Sequence, residues 1–337
     1  KEHVRVRGET PAGSEEPASA DLVIMAPRGD QALAQVERHL YTVTIPKVGG
    51  DTPSISVSNP DRAAFPARKL TTMGGEFPAW GADARTVHWS LGNAHFTYDL
   101  SASDAFYEAA EAEAEPSGND DENADEDEND KPRFEPMESR IPIEVERDIP
   151  RGVAVLTGAR IVTMEGSEVI EDGVIVVRDN RIEAVGHRGE VTVPEGAEVV
   201  DVTGNTIVPG FVDTHSHMRP TWGLHRNDQW MYLANLAYGV TTTRDPQTAT
   251  TDVLSYSDLV RAGEIVGPRI YSTGPGVFWQ DNISSLEEAR DVMRNYSDYF
   301  DTKTLKMYVA GNRQQRQWII QAARELEIMP TTEGSLN

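Results

Sequence analysis

Val208-Pro209-Gly210-Phe211-Val212-Asp213-Thr214-His215-Ser216-His217 is the stretch from which the rest of the chain can be read. A short apolar run leaving a Pro-Gly turn reads as a buried strand, and this one closes on two histidines. Residues at i and i+2 of a strand project to the same face. If that face is the interior of a barrel, both imidazoles converge on one ion, as a metal site requires. An isolated pair of this kind is as easily an accident of packing, so the surrounding sequence decides.

From residue 207 onward the pattern alternates. Strands are expected near 207–213, 240–245, 268–273, 304–309 and 328–333, and helices near 228–238, 252–263, 285–299 and 312–327. Asp252 and Ser285 read as helix N-caps, with Glu288 completing a capping box. Such alternation implies a parallel sheet with helical crossovers, either an open doubly wound sheet or part of a (β/α)8 barrel. Upstream, 153–164, 169–185 and 191–207 are β-rich and broken by Glu171-Asp172-Gly173 and Asp179-Asn180, which suits a small antiparallel sheet over 148–206.

Asp213, His215 and His217 after Pro209-Gly210, together with Ile182-Glu183-Ala184-Val185-Gly186 and the lead-in from Val200 to Gly210, resemble the amidohydrolase superfamily over residues 148–337. The resemblance implies that 207–337 is the first half of a (β/α)8 barrel and that His215 and His217 ligate a divalent metal, zinc by donor type, as one or two ions. It also implies that Lys306, in the expected fourth strand, is carbamylated (carboxylysine) and bridges two ions. An interior lysine is costly to bury unless paired or modified, and carbamylation needs the neutral amine; the alternative is a lysine reaching solvent at the strand end. Asp213 and Lys306 are the candidate catalytic residues. The fifth strand departs from the pattern: Glu333 stands near the usual histidine, either as a ligand or behind one. The residues expected from strands six and eight have no counterpart. A barrel takes about 250 residues, so the chain is expected to be an internal fragment.

The bland readings matter too. His225 either touches substrate or lies on the surface, and Arg244–Asp245 either contact substrate or form a structural ion pair. Gly274-Pro275-Gly276 lacks the Lys-Ser/Thr of a phosphate loop, so nucleotide binding is rejected. Trp318 and Ile319 read as the inward face of an ordinary helix.

The first 105 residues differ in kind. Ala32–Val36 with Leu40–Ile45, and Thr86–Ser90 with His95–Leu100, form two hairpin patterns about 55 residues apart, the second joined through Leu91-Gly92-Asn93. The run from Lys69 to Trp80 resembles the blade motif of TolB-like, WD40-like β-propellers, with Ala84 replacing the turn glycine. Residues 1–105 are therefore expected to be antiparallel strands of a partial propeller, with Trp80 and Trp89 packing between blades. Between the two regions, 108–130 hold 12 acidic and no basic residues, and 106–147 is expected to be a disordered linker.

The whole chain of 337 residues has 55 acidic and 31 basic residues, a formal charge of −24, which excludes a generic nucleic-acid binder. No run of about 18 apolar residues spans a membrane. Cysteine is absent, so disulfides, thiolate nucleophiles and Cys-ligated metals are excluded. The expected function is hydrolysis of a C–N bond in an amide, cyclic amide or peptide-like small molecule through a metal-activated water. The alternative is a propeller-based scaffold for a protein partner, with a degenerate barrel. The propeller resemblance favours an exported or periplasmic location over a cytoplasmic one.

Overall fold

The computed structural model describes residues 4–11, 14–49, 51–113, 132–221, 223, 225–248, 250–278 and 281–333. From residue 114 onward the acidic tract lies outside the described residues. The chain divides into two compact units, Lys1–Ile143 with Gly276–Asn337, and Glu144–Pro275.

The first unit begins with β1 (Arg5–Arg7), β2 (Ala20–Met25), β3 (Gln31–Val36), β4 (His39–Thr44), β5 (Ser54–Ser56) and β6 (Ala67–Lys69). Strands β2-β3-β4-β6 form an antiparallel sheet, while β1 and β5 pair in parallel, against the expectation of antiparallel strands only. Strict alternation lets this sheet bury both faces. Leu33 and Leu40 point into one core, and Ala32, Ala34, Val36, Tyr41 and Val43 point into another with Val6, Ile55 and Val57. A second antiparallel sheet, ordered β10-β9-β8-β7, is built from β7 (Glu76–Trp80), β8 (Thr86–Leu91), β9 (Ala94–Asp99) and β10 (Met137–Arg140). The turn between β8 and β9 is Gly92-Asn93, with Gly92 at φ 53°, the positive φ a two-residue hairpin needs. Ala84 takes φ 60°, supplying the turn conformation in place of glycine.

Trp89 is buried at 3% exposure and stacks on Phe96 at 5.5 Å, and Trp80 Nε1 donates to the Ile24 carbonyl at 2.9 Å. Both tryptophans thus serve packing. Two sheets of four strands are present, but no ring of blades closes among the described residues. The expected linker is also partly ordered: α1 (Leu100–Glu113) follows β9 directly, and β10 pairs with β9. Asp99 caps α1 through the Ser101 and Ala102 amides at 2.8 and 3.0 Å, and β10 supplies the outer strand.

The second unit opens with β11 (Val153–Val162), β12 (Val169–Arg178), β13 (Arg181–His187), β14 (Glu198–Asp201) and β15 (Thr206–Ile207). The sheet is mixed rather than antiparallel, because β14 and β15 return alongside β11 in parallel. Then come β16 (Phe211–Asp213), α2 (Trp230–Ala237), β17 (Val240–Asp245), α3 (Asp252–Ala262) and β18 (Arg269–Ser272). The three strands form a parallel sheet ordered β16-β17-β18. Its core joins Ile270 to Tyr232, Tyr256, Val253, Met218 and Ile265.

The last segment completes the first unit. It holds α4 (Leu286–Arg294), a π-helical turn Asn295–Tyr299, β19 (Thr304–Tyr308), α5 (Arg313–Glu325) and β20 (Met329–Glu333), with β19 and β20 a parallel pair. Leu305, Met307 and Ile328 pack on Ala289, Val292 and Met293 of α4 and on Ile319, Ala322 and Ala323 of α5, with Trp318 at the margin. The region expected as one half-barrel therefore appears as two parallel sheets, and no closed barrel is formed among the described residues. Strands and helices nonetheless fall close to where the alternation places them.

The caps differ in detail. Ser285 accepts from the Glu288 amide, but the Glu288 carboxylate turns to Ser284 instead of closing the box. Thr251, not Asp252, occupies the N-cap of α3 and makes no side-chain cap bond. The full capping box is on α5, between Asn312 and Gln315.

Two measurements test this packing. Trp89→Ala is expected to destabilise the chain by about 3–5 kcal/mol in urea titration. Glu37, in the β3–β4 turn, has its pKa raised from 4.5 to about 7 by burial, with Asp281 and Glu9 adding to the rise and Arg38 opposing it. Its neutral form is favoured in the folded state, so the stabilisation is complete below pH 4.5 and is lost as pH rises to about 7. Glu37→Gln should match the wild type in acid and be more stable at pH 8, by about 1 kcal/mol after solvent screening.

Candidate active site

The two histidines lie just beyond a strand, not within it. β16 ends at Asp213, and the chain bends through Thr214 and His215. Asp213 causes the bend: its Oδ1 accepts the His215 amide at 3.0 Å, an Asx turn that competes with continued sheet pairing. The Ser216 amide then rejoins β17 by donating to the Arg244 carbonyl at 3.0 Å. The two rings expected to be neighbours from their i, i+2 spacing are thus brought together by a bend and not by a continuous strand. The rings of His215 and His217 lie 5.1 Å apart, edge to face.

His217 Nδ1 is 3.2 Å from the Gln247 carbonyl. A carbonyl accepts only, so Nδ1 carries a proton, and in the neutral ring the lone pair is on Nε2. Metal-binding histidines are oriented in this way, one nitrogen donating to a carbonyl and the other ligating.

Asp245 organises the turn from beneath. Its side chain is fully buried, Oδ2 accepts the Met218 amide at 3.0 Å, and Oδ1 accepts the Gln247 amide at 3.3 Å. Oδ1 is also 3.9 Å from His217 Nδ1. Burial raises the Asp245 pKa to about 7, against the lowering effect of the Gln247 and Met218 amides, Arg219 and Arg244. Sequence reasoning offered Asp245 a substrate contact or an ion pair with Arg244; the structure makes it the acceptor for two backbone amides. A lone acidic residue at a strand end carries no signal of this.

His225 is an exposed residue, as the surface reading has it, and it makes contacts there. Its Nε2 is 3.1 Å from Asp252 Oδ1, and its ring lies 4.6 Å from that of Tyr256. Asp252, the first residue of α3, also accepts from the Gly223 amide at 3.2 Å, so its carboxylate serves this loop rather than a helix cap.

Lys306 and Glu333 belong to the first unit, on the paired strands β19 and β20. Lys306 lies opposite Thr331, and Glu333 opposite Tyr308. Lys306 is 2% exposed, with Nζ 5.8 Å from the centre of the Tyr308 ring, so it does not reach out to solvent.

Two imidazoles are the right donors for a transition ion, but a zinc site takes three or four protein ligands. Among the described residues no three His, Asp or Glu side chains group closely enough to hold an ion. His215 and His217 are two such donors, without a third beside them among the described residues. Among the described residues, too, no helix is long and apolar enough to cross a membrane.

Asp245→Ala is expected to leave the Met218 and Gln247 amides without their acceptor and to cost about 2–4 kcal/mol. The predicted signature is faster hydrogen exchange at those two amides than in the wild type.

No family model matches the chain. It is 30% identical over 150 residues to an imidazolonepropionase of Sphingopyxis alaskensis, covering 40% of this chain and 36% of that relative. It is 42% identical over 71 residues to a 5-methylthioadenosine/S-adenosylhomocysteine deaminase of Pelotomaculum thermopropionicum, covering 20% of this chain and 16% of the relative. The chain thus spans little more than a third of the length of the first of these relatives. Among solved structures, phenylurea hydrolase B aligns with 54% of this chain and 55% of its own at 21% identity and a TM-score of 0.44. The curated relatives are hydrolases acting on carbon–nitrogen bonds, and their similarity supports the resemblance of this chain to the amidohydrolase superfamily.

Proposed function

We propose that the protein is a metal-dependent hydrolase that cleaves a carbon–nitrogen bond in an amide, cyclic amide or peptide-like small molecule, with His215 and His217 as ligands of a divalent ion, zinc by donor type. The observation that carries this reading is the His217 Nδ1 contact with the Gln247 carbonyl at 3.2 Å, which leaves Nε2 as a donor beside the neighbouring His215 ring. The C–N hydrolases among its relatives support the reaction class. When bound, a divalent ion supplies Lewis acidity, polarising a carbonyl and bringing the pKa of water toward neutrality.

The chain's own residues have distinct parts in this proposal. Asp213 acts through His215, holding its backbone in the Asx turn. Asp245 fixes the far side of the same turn through Met218 and Gln247. Lys306 is the residue the resemblance assigns as a carbamylated ligand, and its support is a buried position on a strand. Glu333 keeps the ligand role only by its place on β20.

Zinc titration of the full 337-residue chain tests the ligand pair. Wild type is expected to retain zinc through desalting, and His215→Ala or His217→Ala should each weaken binding by about 100-fold or more. In any form of the protein that hydrolyses amides or cyclic amides, the same variants should abolish turnover. Zinc affinity unchanged in both variants would overturn the assignment.

A further inference from the structure

Lys306 belongs to the same compact unit as the N-terminal sheets, and the contact that joins them is specific. Helix α4 does not end in an ordinary turn. It runs into a π-helical turn closed by the Phe300 amide on the Asn295 carbonyl at 2.9 Å. Such turns are uncommon and frequently mark functional positions. This one sends two aromatic rings into two different cores. Tyr296, 4% exposed, packs with Leu305 and Met307, the residues flanking Lys306 on β19. Tyr299 packs against the second antiparallel sheet.

The Tyr299 end is held from several sides. Its ring lies 5.8 Å from that of Phe96 on β9, and the Arg140 guanidinium of β10 sits 4.4 Å from its centre. Its hydroxyl donates to Glu138 Oε2 at 3.2 Å, and Arg140 also donates to the Asp298 carbonyl at 2.9 Å. The Tyr299 backbone approaches Gly92 so closely that a Cβ there would stand 2.1 Å from its carbonyl oxygen. At the start of the turn, Asn295 Nδ2 donates to the Met73 carbonyl at 2.6 Å. A second fastening lies nearby, where Arg38 pairs with Asp281 at 2.6 Å and Asn282 donates to Glu9 at 2.9 Å.

We propose that Tyr299 is a positioning residue: seated on the β8–β9–β10 sheet, it holds α4 and the back of β19, so that the N-terminal sheets set the burial of Lys306. The chain of contact runs from Phe96 and Arg140 to Tyr299, through the π-helical turn to Tyr296, and then to Leu305 and Met307. The N-terminal sheets are thus part of the scaffold of the Lys306 strand. The role of Lys306 in catalysis rests on the function proposed above, but its positioning by Tyr299 is measured without metal or substrate.

The test is pulsed acetylation of the full chain with acetic anhydride, reading Lys306 against Lys303 by mass spectrometry. Lys303 is exposed on the same segment and serves as the internal reference. In the wild type Lys306 should react about tenfold more slowly than Lys303 or slower still. Tyr299→Ala should raise the Lys306 rate about tenfold with Lys303 unchanged, and Gly92→Ala should do the same by displacing the Tyr299 backbone. Tyr299→Phe keeps the ring between Phe96 and Arg140 and should stay within about twofold of the wild type. Arg140→Ala, on an exposed edge strand, covers the case in which Tyr299→Ala does not fold, and should raise Lys306 reactivity several-fold. Unchanged protection of Lys306 in folded Tyr299→Ala or Arg140→Ala overturns the proposal. A wild-type chain that retains no zinc, with Lys306 protection still dependent on Tyr299, would instead count against the catalytic reading alone.

Discussion

The turn that presents His215 and His217 hangs on one buried carboxylate. Asp245 accepts an amide from the far end of that turn, at Met218, and another from Gln247 after β17. The same Gln247 offers its carbonyl to His217. One side chain therefore sets where the backbone goes and, through Gln247, which imidazole nitrogen keeps its lone pair. Burial raises the pKa of this carboxylate to about 7, while both amides favour the ionised form. A neutral carboxyl would accept more weakly, so the precision of the histidine turn is tied to an ionised group in an apolar place. That place is built by the second unit's own core, with Met218, Tyr232 and Ile270 all buried.

The carbamylation proposed for Lys306 calls for a buried amine on a strand. Lys306 meets that condition because its neighbours on either side, Leu305 and Met307, face a fully apolar layer of helices. The alternation of a strand then leaves the lysine on the other face. Two helices clamp that layer from behind, joined to each other by Arg290, which donates to both oxygens of Glu325 at 2.8 and 3.1 Å. The acidic Asp213 serves the histidine turn by geometry rather than charge, since its contact is with a backbone amide.

Much of this was legible in the residues. Helix and strand positions from 207 onward follow from periodicity, and the histidine pair follows from its spacing. Lys306 was legible as a strand residue, and the choice between an interior position and one reaching solvent was settled only by its burial in the structure. What escaped is what depends on partners distant in sequence. The parallel return of β14 and β15 beside β11 cannot be read from alternation, which is the same for either direction. The cap at Asn312 needs Gln315 as its mate, a pair less conspicuous than Ser285 and Glu288. Asp245 looks like any strand-end acid until its amide donors are placed. Tyr299 reads as one aromatic among several, and its partners Gly92, Phe96 and Arg140 lie about 160 to 210 residues away. The π-helical turn that aims it has no sequence period of its own.

The discontinuity of the first unit bears on the order in which the protein is made. Its two parts, ending at Ile143 and resuming at Gly276, are separated by the whole second unit. Phe96 and its neighbour Tyr299 are 299 − 96 = 203 positions apart. At about 5–20 residues per second, ribosomal synthesis separates them by roughly 10–40 s. During that interval Phe96 and Arg140 lack the Tyr299 ring that packs on them, while the continuous second unit can close on itself as it emerges. The β8–β9–β10 sheet thus emerges well before the turn that packs on Phe96, and the surface left open in between is one a nascent chain would have to shield.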